Sequence, residues 1–315
     1  MPAEPLLQWP DPIIELIGFL ASFLAVGAVG FRVVSNGALR APGIVTDAGP
    51  VVREAARRAA AIGFLGALVS LALRLWRLPE GAERAHTTVA LLLAHDVRTQ
   101  LQLALALAAA LGLALAAARA RIGWALAAIG TLLAPLTPAL FGQWARLATP
   151  AHRLFAGLWI GTLFLLVAAG IGTVLQSTLP PARRGEAVAA LVHAFSPLAL
   201  TAAALLAVCG AITAWQHLHV LSNLWTTPYG VTLIVKLAMV GVVLALGAWN
   251  WRRQKPRLGT EDGARSLRGT ATGELVAAFV VLAITAVLVS LPSPKPPGAA
   301  PRPEGAPPHV ETHAH

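Results

Sequence analysis

Charge is what this sequence lacks most. Only 12% of its 315 residues are Asp, Glu, Lys or Arg, whereas 57% are hydrophobic. A soluble domain carries about twice that charged fraction. Cysteine occurs once, as Cys209 inside an apolar run, which excludes a disulfide framework and a Cys-rich metal site. Methionine occurs only at Met1 and Met239, which excludes a Met-rich soft-metal pathway. No G-x-S-x-G, H-E-x-x-H, phosphate-loop or dinucleotide motif is present. Nothing points to nucleophilic catalysis, and the chain is not read as an enzyme.

Long apolar runs are what it has in excess. They last about 18–24 residues, enough to cross a hydrocarbon core about 30 Å thick as helix. A spanning backbone must bond every N–H within its own segment, and the alternation of a membrane β-barrel is absent, so the spans are helical. The expected fold class is all-α: a polytopic membrane helical bundle of about eight transmembrane helices. The expected spans are 13–34, 58–76, 100–118, 122–141, 153–175, 188–214, 229–250 and 273–291. They divide into a four-helix membrane half (1–145), a second four-helix half (146–292) and a Pro/His-rich tail (293–315) that cannot bury a core. The leader "MPAEPLLQWPDP" has two acids and no base, unlike the basic start of a cleavable signal.

The formal net charge is +10. Sorted by alternate loops, 15 of the 24 basic residues fall on one side and 8 on the other, leaving Lys236 inside span seven. The richer side is expected to be cytoplasmic, with both termini outside. The basic balance then reports membrane topology, not nucleic-acid binding. Eight of the nine histidines fall on the outer side: His86, His95, His152, His217, His219, His309, His313 and His315. Topology rules do not place neutral imidazoles there; metal capture would.

The outer loop "TAWQHLHVLSNLWTTPYG" has no Lys or Arg and carries His217 and His219 as an H-x-H pair. On an extended or irregular loop, which the nearby Trp215, Trp225 and Pro228 favour, both imidazoles would point one way and suit Cu(II), Zn or Ni. The alternative is a pair of interfacial histidines in a tryptophan belt. His152 opens "AHRLFAGLWIGTLF", with Trp159 nearly on its face and a Gly157/Gly161 spacing that lets a neighbouring backbone approach. It reads as a ligand, a proton relay or an interfacial cap. A shared site of His152, His217 and His219 is expected, with affinity falling as pH drops through roughly 6.5.

Lys236 is an intramembrane charge, functional by default or snorkelling to the interface, with Glu15 as its expected counter-charge. His193 precedes Pro197, which should kink span six; His193 then reaches a cavity or sits as an ordinary core residue. The tail tip "HVETHAH" reads as a metal lure or as incidental histidines on a flexible arm.

These segments together resemble the bacterial copper resistance protein D family from about His152 to Pro292. "HRLFAGLWIGTLFLL" is similar to that family's His-then-Trp-Gly helix and "AFSPLAL" to its Phe-Ser entry. "TTPYGVTLIVKLAMVGVVLALGAWN" resembles its most recognisable segment, with Tyr229, Gly230, Lys236 and Asn250 in place. "LRGTATGELVAAFVVLAITAVLVSLP" is similar to its closing helix, with Arg268, Glu274 and Pro292. Gln143 stands where the family often has His, and Ala194 where a basic residue is usual. The resemblance implies passage of copper ions across the bacterial inner membrane from the periplasmic side, beside a periplasmic copper-binding protein. Tyr229, Lys236, Asn250 and Glu15 would form a polar path. A membrane oxidoreductase or assembly factor holding haem b on axial histidines is the alternative.

Overall fold

The computed structural model describes residues 9–218 and 220–292. Among them it contains eight helical segments long and apolar enough to cross a membrane. They are α1 (Asp11–Ala38), α2 (Gly49–Trp76), α3 (Val97–Ala117), α4 (Arg121–Leu140), α5 (Trp144–Leu175), α6 (Pro181–Leu218), α7 (Pro228–Gln254) and α8 (Glu261–Ser290). The protein is an all-α, multi-pass membrane bundle. The starts of α1, α3, α5 and α7 and the ends of the other four form one face, here called the terminal face.

Several helices outrun the apolar stretches that announced them. α6 begins at Pro181 and ends at Leu218, and α8 begins at Glu261, about six to eighteen Å beyond the apolar limits at 1.5 Å per residue. Local caps account for part of this. The Thr260 hydroxyl accepts the Gly263 N–H at 3.1 Å and starts α8. Asp96 accepts the Thr99 N–H at 3.0 Å and starts α3. Hydrogen bonds from Thr99 also hold the Asp96 carboxyl below the usual carboxylate range. Its contribution is present above the unfolded value and is lost as pH falls through the folded one.

Small residues set the helix spacing. With lipid outside, helices gain little from hydrophobicity alone and associate through close packing. Gly27 of α1 and Gly161 of α5 touch backbone to backbone: a Cβ on Gly161 would overlap the Phe23 carbonyl. Just below, the Thr162 hydroxyl reaches the Gly27 carbonyl at 3.4 Å. Gly63 and Gly66 seat α2 on Ala28, Ala21 and Leu24 of α1. Gly112 and Gly130 bring α3 onto α4 at Ala127 and Ala109. α5 carries π-helical turns at Gly157–Gly161 and Leu166–Ile171, the first of them at the crossing with α1.

One core results, with Phe31, Leu113, Leu165, Ile171 and Leu191 fully buried from α1, α3, α5 and α6. The apolar window of α5 is 61% buried and that of α7 only 6%. α5 is therefore central and α7 peripheral. α7 packs along α8 and joins α6 at the terminal face, where Tyr229 and Leu233 meet Leu218. On the opposite face Arg184 pairs with Glu261 at 3.2 Å, tying the start of α6 to that of α8.

Replacing Gly161 by Ala should destabilise the bundle by about 1–3 kcal/mol, because backbone, not a movable side chain, occupies the space. Gly241→Ala, where nothing lies within 4 Å, is the matched control. Thermal midpoints in detergent should separate the two; equal midpoints would remove the α1–α5 contact from its governing place.

Candidate functional site

The terminal face gathers the candidate chemistry on α5, α6 and α7. His152 lies in the second turn of a helical stretch, Ala148–Ala156, at the start of α5. Its Nδ1 lies 2.9 Å from the Leu206 carbonyl of α6. A carbonyl only accepts, so Nδ1–H donates and Nε2 keeps its lone pair. That is the tautomer a metal-ligating imidazole needs, with its other nitrogen oriented by a backbone oxygen. The ring lies against Gly210: a Cβ there would stand 2.8 Å from His152 Cε1. Glycine is thus required on α6 to admit the ring.

His217 repeats the arrangement one level out. Its Nδ1 lies 2.8 Å from the Thr213 carbonyl, again leaving Nε2 free. Its ring stacks on Tyr229 of α7, centroids 5.9 Å apart and planes 11° from parallel. Leu206, Gly210, Thr213 and His217 recur at helical spacing and share one face of α6. The Thr213 hydroxyl on that face is buried and without a hydrogen-bond partner. A buried orphan hydroxyl costs roughly 1–3 kcal/mol, so it marks a place where a polar partner is expected.

α7 presents a matching line. Tyr229, Lys236, Val243 and Asn250 are seven residues apart in turn, two turns each, and so lie near one face. The same seven-residue step separates Gly210 from His217 on α6. Tyr229 therefore stands at the level of His217, and Lys236 about 10 Å deeper, near His152. Lys236 and Arg153 are the charges that act on His152, and Arg153 also acts on Lys236. Farther along α7, Asn250 Nδ2 donates to Glu274 Oε1 of α8 at 2.7 Å.

Three sequence expectations change. His217 is in the last turn of helix α6, not in an extended loop, because α6 runs on to Leu218. His152 and His217 do not converge on one point; Gly210 and His217 are about 10 Å apart along α6. Among the described residues no three His, Cys, Asp or Glu side chains form a group able to hold a metal ion. Glu15 pairs with Arg77 of α2 at 2.6 Å instead of Lys236, since α2 is the neighbour of α1 there. His219, His309, His313 and His315 lie outside the described residues.

His193 is elsewhere. It lines a cleft of about 580 Å³ near the opposite face with Asn36, Arg40 and Pro197, between α1 and α6. α6 continues as helix through Pro197. His193 and Gly210 are 17 residues apart on α6, about 25 Å, so His193 and His152 cannot share an iron. Gly210 and Thr213 went unnoticed in the sequence, although they lie seven and four residues before His217. Gln143 buries a side-chain oxygen without a partner, near the point where Gln216 donates to the Ala145 carbonyl.

Comparison with known proteins concerns the same helices. Residues 189–288, most of α6 through α8, match the family model Copper resistance protein D. That match covers 100 of the chain's 315 residues. It is also similar to "Copper transport protein CutJ" of Bacillus subtilis (strain 168), 30% identical over 154 residues, which is 48% of this chain and 26% of that protein. The chain thus spans about a quarter of the length of that relative. No solved structure matches.

Gly210→Ala should displace the His152 ring while leaving α6 helical. Nitrogen chemical shifts of labelled His152 should lose the signature of a Nδ1–H tautomer held on a carbonyl. An unchanged His152 spectrum in Gly210→Ala would show that the ring does not depend on the missing Cβ.

Proposed function

We propose that this protein carries copper ions across the bacterial inner membrane from the periplasmic side, through the seam between α6 and α7. The observation that supports this reading most is the pair of imidazoles, His152 and His217, each turned by a backbone carbonyl so that Nε2 is free. An ion bound first at the level of His217 and Tyr229 would pass the Thr213 hydroxyl and reach His152. Neutral nitrogen and hydroxyl donors suit a borderline copper ion, and two weak stations release cargo better than one closed site. Lys236 beside His152 repels a second cation and makes the deeper station weaker than the outer one. Asn250, on the same face of α7, extends the polar line toward the far side. The second half, 146–292, supplies this path, and the first half supports it through α1.

The basic asymmetry favours placing the terminal face in the periplasm, with both termini there. A periplasmic copper-binding protein would then deliver to His217, helped by His219 and by His309, His313 and His315 of the tail. The activity is transport, not catalysis.

His152→Ala and His217→Ala should each lower copper affinity about ten- to a hundredfold, as loss of a ligand or of its support commonly does. Equilibrium dialysis with metal analysis reads the affinity, and proteoliposome uptake reads the flux. The outer station should control capture at low copper, the inner one flux at saturation. Wild-type uptake in the double variant would end the proposal.

Orientation has its own test. Cysteine introduced at Arg98, in the first turn of α3, should react with an impermeant thiol reagent added outside intact cells, and cysteine introduced at Arg253 should not. The reverse pattern would invert the direction proposed.

A further inference from the structure

Apart from the histidine seam, the terminal face holds an unusual charge cluster. Glu15 in the second turn of α1 pairs with Arg77 at the end of α2, 2.6 Å apart. One turn deeper on α1, the Arg153 guanidinium of α5 lies 5.0 Å over the Phe19 ring. Arg74 precedes Arg77 by one turn in the last turns of α2. The three arginines act on one another: Arg153 and Arg77 on Arg74, and Glu15 and Arg77 on Arg153. Three positive charges thus gather at this end, and one carboxylate, Glu15, acts on two of them, Arg77 and Arg153. Asp11, the other acid at this end of α1, makes no ion pair among the described residues.

Such a gathering repels itself unless an anion is present, and it opposes the charge rule for the side proposed as periplasmic. A second observation lies inside the cluster. Ser70 falls one turn before Arg74 on α2, with Gly63, Gly66, Arg74 and Arg77 at helical spacing along the side turned to α1. Its hydroxyl is buried and has no hydrogen-bond partner. A hydroxyl and planar guanidinium forks are the donor set that recognises phosphate oxygens.

The level of the cluster identifies the source. Trp9 and Trp76, at the same ends of α1 and α2, are 68% and 56% exposed. Tryptophans at helix ends mark the headgroup layer of a bilayer. We propose that Arg74, Arg77, Arg153 and Ser70 form a phosphate-oxyanion site that holds the headgroup of an anionic phospholipid between α1, α2 and α5. It adjoins the copper path at Arg153, the neighbour of His152 in sequence, but shares no proposed copper ligand with it.

The test uses full-length protein in mild detergent, stripped of lipid and offered either phosphatidylglycerol or inorganic phosphate. Native mass spectrometry counts retained lipid, and the thermal midpoint reads stabilisation. Wild type should retain phosphatidylglycerol and gain midpoint with it. Arg74→Gln and Arg153→Gln should each weaken retention about tenfold, the usual consequence of losing a charge-assisted hydrogen bond. Ser70→Ala should weaken it less, and Arg253→Gln on the opposite face should not. Wild-type protein that retains no phosphatidylglycerol, or retention unchanged in Arg74→Gln and Arg153→Gln, would overturn the site without depending on how any variant folds. Inorganic phosphate raising the midpoint equally and displacing the lipid would keep the oxyanion chemistry but overturn the lipid as its source.

Discussion

The backbone contact between Gly27 and Gly161 is the constraint on which the remaining arrangement depends. It places α1 against α5 closely enough for the Thr162 hydroxyl to reach the Gly27 carbonyl. α1 then lies between the two sequence halves, and one core contains residues of α1, α3, α5 and α6. With α5 held on one side by α1, the start of α5 is fixed beside α6. His152 owes its position to that chain of contacts: α1 holds α5, and Gly210 of α6 admits the ring.

The seam is built differently from the core. In the core, small residues bring backbones together and large apolar side chains such as Phe31 and Leu165 fill the space beside them. α6 and α7 meet through side chains at one end, where Leu218, Tyr229 and Leu233 pack together and the His217 ring stacks on Tyr229. Rigid apolar packing sets distances, and polar groups are confined to where another protein surface covers them. The two imidazoles keep one tautomer because each has a carbonyl at Nδ1, a detail of position that composition does not carry.

Hydropathy made the eight spans legible because lipid enforces long apolar runs. It could not mark helix ends lying in water, so the last turns of α6 and the first of α8 were read as loop. His217 lies three residues beyond the apolar limit at 214, and hydropathy does not show that the helix runs on to Leu218. The heptad line Tyr229, Lys236 and Asn250 was open to reading on α7 alone. Its relation to His152 was not, since that depends on which helix neighbours which. The Glu15 and Lys236 pairing failed on the same point, because two charges on one side of a membrane need not be on adjacent helices. Gly210 was invisible as a functional residue, since its role is to have no side chain where another helix delivers one.

The partnership of α1 and α5 also bears on how the chain assembles. Gly27 and Thr162 are separated by 135 positions. At ribosomal rates of about 5–20 residues per second, α5 follows α1 by roughly 7–27 s. During that interval α1 lacks its α5 partner, and the carbonyl of Gly27 awaits its late donor. Association of helices already inserted, not insertion itself, is therefore the step that completes the bundle. A substitution that bulks the glycine face would act there, trapping inserted but unassembled helices that a membrane protease distinguishes from the finished protein.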